Sequence, residues 1–137
     1  DASIRMNSVE NNCIKYTQIM CGISLIVNPG NLADRDLIMK MNEVIIHRGP
    51  DGEGFYFEDE FGLSMGHRRL AIIDVSENGH QPMHWLDKYV VIFNGEIYNY
   101  QALRKTCEER GSVFRSDSDT EVLLHLYHRR GEKMLEE

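Results

Sequence analysis

The chain has 137 residues, of which 42% are apolar and 27% charged, a composition typical of one globular domain with its own core. The formal net charge is −7, and no stripe of lysine and arginine interleaves with aromatic residues, so nucleic acid is not expected as a partner. No apolar run reaches the roughly 18 residues of a membrane span, and the polar amino-terminal segment does not resemble a secretory signal, so no membrane partner is expected either. The three cysteines form no CxxC pair, which favours a reducing, cytoplasmic setting.

Four apolar segments predict β-strands. They cover residues 21–28, 54–58, 62–74 and 89–99. The first is a run of Ile, Leu and Val closed by Pro and Gly, which is typical of a buried strand. The second and third are joined by an acidic turn, and the fourth runs into a glycine turn. The segments 47–54 and 75–88 have the Gly, Pro and polar content of loops, while residues 1–20 lack periodicity and are interpreted as a flexible prefix or pro-segment.

Three segments predict helices from the spacing of their apolar residues and from the residues at their ends. They cover residues 34–46, 100–110 and 118–130. Asn31 or Asp34 can cap the first helix, and Asn99 can cap the second, which Gly111 can end in the left-handed conformation. The third begins with the capping-box sequence Ser-Asp-Thr-Glu. The order of strands and helices predicts a layered α+β domain.

Cys21 is the candidate nucleophile because of its position in the sequence. A lone cysteine is more often a buried small apolar residue. Cys21, however, directly follows Met20 and opens the first strand. If the chain began at Met20, removal of that methionine would leave Cys21 with a free α-amine, whose pKa of about 7.7–8.0 suits a general base. A thiol beside such a base becomes a nucleophile without a histidine.

The Asn94-Gly95 pair has two alternative interpretations. A side-chain amide and a backbone N–H in a tight turn can stabilise the oxyanion that develops during attack on a carbonyl, and glycine permits the close approach. The same dipeptide is also a common hairpin turn. Taken alone, the dipeptide favours the hairpin, and the oxyanion role is the alternative.

Three charged residues are candidates for binding an amino acid. Arg69 lies in an apolar strand and could grip a carboxylate through two parallel hydrogen bonds, whereas Arg68 should point to the opposite face. Asp119 and Glu96 could bind the ammonium or amide. Alternatively, Asp119 is an ordinary acid at a helix N-terminus and Glu96 an ordinary charge on a surface turn.

Neither a metal site nor a nucleotide site is predicted. The pairs His80/His84 and His125/His128 lack the HExxH pattern and a cysteine partner. The glycine-rich segment 47–54 lacks the GK[ST] sequence that a phosphate-binding loop requires.

Five motifs resemble the glutaminase domain of glutamine-hydrolysing asparagine synthetases, and they occur in the family's order and close to the family's spacing. They are MCGI at 20–23, HRGPDG at 47–52, GHRRLAIID at 66–74, FNGEIYNY at 93–100 and SDTEV at 118–122. The resemblance covers residues 20–137, and the third and fourth motifs favour the asparagine synthetase branch over the sugar-phosphate and purine branches. It implies a class II glutamine amidotransferase domain over residues 21–137, with the four-layer αββα sandwich of the N-terminal-nucleophile hydrolases. Because the family's domain is longer, it also implies a domain incomplete at its carboxyl-terminal side.

The resemblance assigns roles to the candidate residues. Cys21 would be the nucleophile with its own amine as base, and Asn94 and Gly95 would form the oxyanion hole. Arg69 would bind the glutamine carboxylate, with the rest of the polar head bound by Glu96 and Asp119. Arg48 and Gly49 would belong to the substrate-binding loop beside the nucleophile.

The reaction implied is hydrolysis of glutamine to glutamate and ammonia through a cysteinyl thioester. The ammonia would pass to a synthetase domain or subunit, and ATP and magnesium are expected only there, so this chain needs no cofactor and should not make asparagine alone. The alternative is a non-catalytic fragment or remnant of such a domain, and another amide hydrolase of the same fold is a further rival. The sequence leaves open the final ammonia acceptor, the fate of residues 1–20 and the oligomeric state, a homo-oligomer included.

Overall fold

A computed structural model of the chain describes residues 20–71 and 76–136. The described residues contain five strands and three α-helices, together with short 3₁₀ helices. The strands are β1 (Gly22–Val27), β2 (Gly52–Glu58), β3 (Leu63–Arg69), β4 (Met83–Trp85) and β5 (Tyr89–Val91). The helices are α1 (Arg35–Val44), α2 (Tyr100–Glu109) and α3 (Asp119–Arg130). The fold is therefore mixed α and β, as the sequence predicts. Residues 1–19 of the proposed prefix 1–20 lie outside the described residues.

The strands form two antiparallel sheets. The larger has the order β1-β3-β2, with Gly22 opposite Arg68 and Gly52 opposite Arg69. The smaller is the hairpin of β4 and β5. The strand predicted over 89–94, ahead of the glycine turn, is too long, because β5 ends at Val91. The prediction of a loop over 75–88 is wrong in part, since it contains β4.

Strand β1 is confirmed as a strand, but it is not buried on both faces. Its side chains alternate, and Gly22 and Ser24 are buried on the face that carries α1. On the opposite face, Ile23, Leu25 and Val27 are 47%, 52% and 59% exposed. The continuous apolar run therefore correctly predicts a strand. The prediction that this strand is buried is wrong for one of its two faces among the described residues.

Helix α1 packs on the large sheet through a polar contact. Asp34 caps the helix, since its carboxylate accepts a hydrogen bond from the Leu37 backbone N–H at 2.9 Å. Asn42 is fully buried, and its side-chain amide donates to the His67 carbonyl oxygen at 3.4 Å. The capping prediction for Asp34 is thus confirmed.

Helices α2 and α3 pack together around a small apolar cluster. Its buried members are Cys107, Val122 and Leu126. Helix α2 ends as predicted, since Gly111 has a φ of +88°, in the left-handed region that favours glycine.

The amino-terminal end of α3 departs from the capping-box prediction. The Ser118 hydroxyl accepts from the Thr120 N–H at 3.2 Å. The buried Glu121 carboxylate does not reach back to Ser118, because it accepts the backbone N–H groups of Arg115 and Ser116 and the Ser116 hydroxyl. Glu121 therefore fixes the segment before the helix, and this segment holds the helix start in place.

Candidate active site

One pocket collects most of the predicted site residues. It has a volume of about 370 Å³ and lies where the start of β1, the end of β3, the segment after β5 and the start of α3 meet. Six predicted residues line it, namely Cys21, Arg69, Asn94, Gly95, Glu96 and Asp119. These residues come from four separate parts of the chain, so only the tertiary structure brings them together.

Cys21 is held at the edge of the large sheet by the backbone of Leu70. The Leu70 N–H donates to the Cys21 sulfur at 3.3 Å, and the thiol lies 3.7 Å from the Leu70 carbonyl oxygen. The thiol is half-buried, while Met20 before it is 49% exposed. A half-buried thiol with a backbone donor beside it, at the mouth of a pocket, can act as a nucleophile on a ligand in that pocket.

Arg68 and Arg69 point to opposite faces of β3, as the alternation of a strand predicts. Arg69 lines the pocket and is buried, and its guanidinium donates to the Ser76 carbonyl oxygen at 2.9 Å. On the other face, Arg68 forms an ion pair with Glu53 at 3.0 Å and donates to the Asn42 carbonyl oxygen. Arg69 is therefore the arginine of this pair that can meet a ligand carboxylate.

The segment that carries Asn94 and Gly95 is not a hairpin. Strand β5 ends three residues before Asn94, and helix α2 follows at Tyr100, so the Asn-Gly pair joins a strand to a helix. The hairpin interpretation is therefore wrong. Asn94 is half-buried and Gly95 is exposed, and both line the pocket.

Asp119 lies in the first turn of α3 and also faces the pocket. It is buried, and its carboxylate accepts the Ile97 backbone N–H at 3.0 Å. Asp119 is therefore an acid at a helix N-terminus, as one interpretation had it, and it also lines the pocket. Glu96 is exposed at the pocket rim, where a charged ligand group could reach it.

Arg48 and Gly49 do not line the pocket but lie behind Cys21. The Arg48 guanidinium donates to the Cys21 carbonyl oxygen at 3.1 Å. Gly49 is buried against the peptide bond between Arg68 and Arg69, where a Cβ atom would overlap the backbone. In this arrangement both residues position Cys21 and β3, and their contact with a substrate stays a prediction.

His67, a fully buried side chain of β3, also lines the pocket, although no sequence pattern predicts it there. Neither of its ring nitrogens has a hydrogen-bond partner among the described residues. Burial lowers the pKa of His67 to about 4, and the nearby Arg69 guanidinium acts in the same direction, while the Phe93 backbone opposes this shift. The ring is therefore neutral at pH 7.

Gln81 and Thr120 line the pocket beside Asp119 and were likewise not predicted as site residues. Gln81 lies in a polar connection next to a proline, and nothing in that segment indicates that it is a site residue. Thr120 lies inside the SDTEV motif, which indicates its neighbourhood but not its contact with Gln81.

Among the residues that the structure describes, no group of three or more His, Cys, Asp or Glu side chains could hold a metal ion. The longest helix, α3, has 12 residues, and no described helix has both the length and the apolar character that crossing a membrane requires.

The pocket and the motifs around it define a glutamine amidotransferase domain. Residues 20–137 match the family model described as "Glutamine amidotransferase domain". The chain belongs to this family.

Relatives of the chain are named as asparagine synthetases. It is 50% identical over 113 residues to asparagine synthetase [glutamine-hydrolyzing] 1 of Bacillus subtilis, which aligns 79% of this chain with 17% of that protein. It is 40% identical over 129 residues to the putative asparagine synthetase [glutamine-hydrolyzing] 2 of Methanocaldococcus jannaschii, covering 82% of this chain and 24% of that protein. Asparagine synthetase [glutamine-hydrolyzing] 3 of Arabidopsis thaliana is 38% identical over 121 residues, or 85% of this chain and 20% of that protein. The chain thus spans about a fifth of the length of these relatives, within their amino-terminal portion.

Proposed function

We propose that this chain hydrolyses glutamine to glutamate and ammonia through a γ-glutamyl thioester on Cys21. The observation that carries the proposal is the convergence of a thiol, an arginine, an Asn-Gly pair and a carboxylate on one pocket. Their chemistry matches a zwitterionic substrate with a side-chain amide, and the family is one of glutamine amidotransferases.

The reaction starts with the Cys21 thiol and a free α-amine on the same residue. The amine takes the thiol proton, and the sulfur attacks the side-chain carbonyl carbon of glutamine. The oxyanion that forms is stabilised by the side-chain amide of Asn94 and the backbone N–H of Gly95. The tetrahedral intermediate collapses when the ammonium of Cys21 returns the proton to the leaving nitrogen. Ammonia leaves, and the γ-glutamyl thioester remains.

The thioester is then hydrolysed by the same groups. The α-amine, neutral again, takes a proton from water, and the hydroxide attacks the thioester carbonyl. A second oxyanion forms in the same place, and its collapse releases glutamate and regenerates the thiol.

The polar head of glutamine is bound by charged residues on two sides of the pocket. Arg69 takes the α-carboxylate through its guanidinium, and Asp119 and Glu96 take the ammonium. Arg48 holds the backbone of Cys21 through its carbonyl oxygen, which fixes where the α-amine lies. A fixed position for nucleophile and substrate lowers the entropic part of the barrier.

The domain belongs, in this proposal, to a four-layer αββα sandwich of the N-terminal-nucleophile type that works in the cytoplasm. Its ammonia goes to an ATP-dependent synthetase domain or subunit, where ATP and magnesium are bound. Asparagine is the leading product, because the relatives are named as glutamine-hydrolysing asparagine synthetases.

The test is to free the α-amine of Cys21 within one sample. A protease recognition sequence placed directly before Cys21 lets glutamate and ammonia release be measured before and after cleavage, with intact mass reporting the cut. We expect activity only after cleavage, because an amide nitrogen has no available lone pair to take the thiol proton. Equal activity of the intact chain would refute the amine-as-base mechanism, and no activity in either state would favour the non-catalytic alternative.

A further inference from the structure

The segment from Phe93 to Ile97, called here the oxyanion loop, carries Asn94 and Gly95 and belongs to neither a strand nor a helix. A catalytic donor in such a segment must be held by other residues, because no ladder of backbone hydrogen bonds fixes it. The backbone N–H groups at both ends of the loop donate hydrogen bonds to side chains. The Phe93 N–H donates to the Gln81 side-chain oxygen at 2.6 Å, and the Ile97 N–H donates to the Asp119 carboxylate at 3.0 Å.

These two acceptors are connected to each other through Thr120. The Gln81 side-chain NH₂ donates to the Thr120 hydroxyl at 3.2 Å, and that hydroxyl lies 3.5 Å from Asp119 Oδ1. The directions agree along the whole path: because the Phe93 N–H is a donor, the Gln81 oxygen must be its acceptor and the Gln81 NH₂ must face Thr120. Thr120 can then donate its own proton to Asp119.

Gln81 is suited to hold this path because it is buried and closely packed. It is 7% exposed, and its backbone carbonyl lies against Gly54 of β2, so closely that a Cβ atom on Gly54 would overlap it. Thr120 is fixed in turn by the first turn of α3, where its N–H donates to Ser118. The path therefore joins the large sheet, the oxyanion loop and α3. A buried polar network in which every member has a partner is a rigid element.

We propose that Gln81 is a positioning residue for glutamine hydrolysis, which fixes the oxyanion loop through Phe93 on one side and through Thr120 and Asp119 on the other. The proposal rests on the proposed function of Asn94 and Gly95. Gln81 acts through its neighbours rather than on the substrate, so its removal should raise the barrier of the chemical step and leave glutamine binding nearly unchanged.

The test compares Gln81→Met, which has a similar length but no hydrogen bonds, with Gln81→Glu, which keeps the acceptor for Phe93. The control is Gln101→Met, an exposed position on α2. In the chain cleaved before Cys21, we expect Gln81→Met to lower kcat by about ten- to a hundredfold, as for an approximately 1 Å displacement of a catalytic group. KM should change by less than about threefold. Gln81→Glu keeps the acceptor for Phe93 but loses the donor to Thr120, so it should recover only part of kcat. Gln101→Met should match the wild type.

Two further readouts separate positioning from a general loss of structure. Amide hydrogen exchange in the full chain should become faster at Phe93 in Gln81→Met, with the amides of β1 and β3 unchanged. Thr120→Val should lower kcat similarly, and the double variant should be no worse than the worse single one, because both act on one path.

Each outcome decides the proposal. Wild-type kcat in Gln81→Met, or faster exchange throughout the chain in that variant, would overturn it. So would additive effects of the two substitutions. If the wild-type chain releases no glutamate, the proposed function fails, and the exchange at Phe93 still decides whether Gln81 fixes the loop.

Discussion

The Cys21 sulfur and the Leu70 backbone face each other across the edge of the large sheet, with the Leu70 N–H 3.3 Å from the sulfur. Leu70 directly follows Arg69, so the residue that holds the thiol and the residue that faces the pocket are adjacent in the chain. The Cys21 thiol is therefore held by the backbone next to Arg69, at one end of β3. This arrangement makes the roles of the two side chains separable by mutation.

Cys21→Ala is expected to abolish glutamate release, because the alanine methyl group cannot form a thioester. The measurement is glutamate production by the chain cleaved before residue 21. Cys107→Ala is the matched control, since Cys107 is buried in the cluster between α2 and α3. Glutamate release that survives in the Cys21 variant would assign the chemistry to another group.

Arg69→Lys is expected to raise KM for glutamine by about tenfold or more, because an ammonium cannot reproduce the bidentate fork of a guanidinium. Steady-state kinetics would measure the effect. Arg68→Lys is the control, because Arg68 pairs with Glu53 on the opposite face. If the Arg68 variant proved the more sensitive one, the assignment of the strand face to the substrate would be wrong.

Asn94→Ala is expected to lower kcat by about a hundred- to a thousandfold, which corresponds to roughly 3–4 kcal/mol of lost oxyanion stabilisation. KM should change much less, since the charge appears only in the transition state. Asn31→Ala, an exposed asparagine far from the pocket, is the control. Equal damage to KM and kcat would instead indicate that Asn94 shapes the binding site.

Gly54→Ala is expected to destabilise the fold, because the added methyl group would overlap the Gln81 carbonyl oxygen. Overpacking of this kind typically costs about 1–3 kcal/mol in the free energy of unfolding. Urea unfolding would measure it. Gly52→Ala on the same strand is the matched control, since its nearest neighbour, a His80 ring carbon, is 3.5 Å away. Similar losses in both variants would show that strand conformation, not the contact with Gln81, sets the cost.

His67 should make the fold less stable as the pH falls. Its folded-state pKa of about 4 lies below the ordinary histidine value of 6.5, so the unfolded chain binds the proton more readily. The contribution of the neutral His67 ring to the free energy of unfolding is fully present above about pH 6.5. It is lost as the pH falls toward 4, and the loss amounts to at most about 3 kcal/mol.

An NMR titration of the His67 ring, with exposed His84 as the internal control, would measure the folded-state pKa. Unfolding of wild type and His67→Gln at pH 7 and pH 4.5 would measure the stability. A His67 ring that titrates near pH 6.5 would contradict the prediction.

Several features of the fold are determined by residues close together in the sequence. The Asp34 cap of α1 joins residues three apart, and the left-handed Gly111 ends α2 because no side chain hinders it there. The opposite directions of Arg68 and Arg69 follow from the alternation of a strand. Backbone stereochemistry and short-range hydrogen bonds control all of these, so the sequence alone predicts them.

Other features were decided only by contacts between distant parts of the chain. The Asn94-Gly95 pair is typical of a hairpin, yet it follows a strand that leads into α2, and its surroundings are fixed by Gln81, 12 residues before Phe93 in the chain. Glu121 has the spacing of a capping box, but it accepts the donors of Arg115 and Ser116 instead. In both cases, backbone donors are satisfied by the acceptor that the packing brings closest, and local sequence does not encode which acceptor that is.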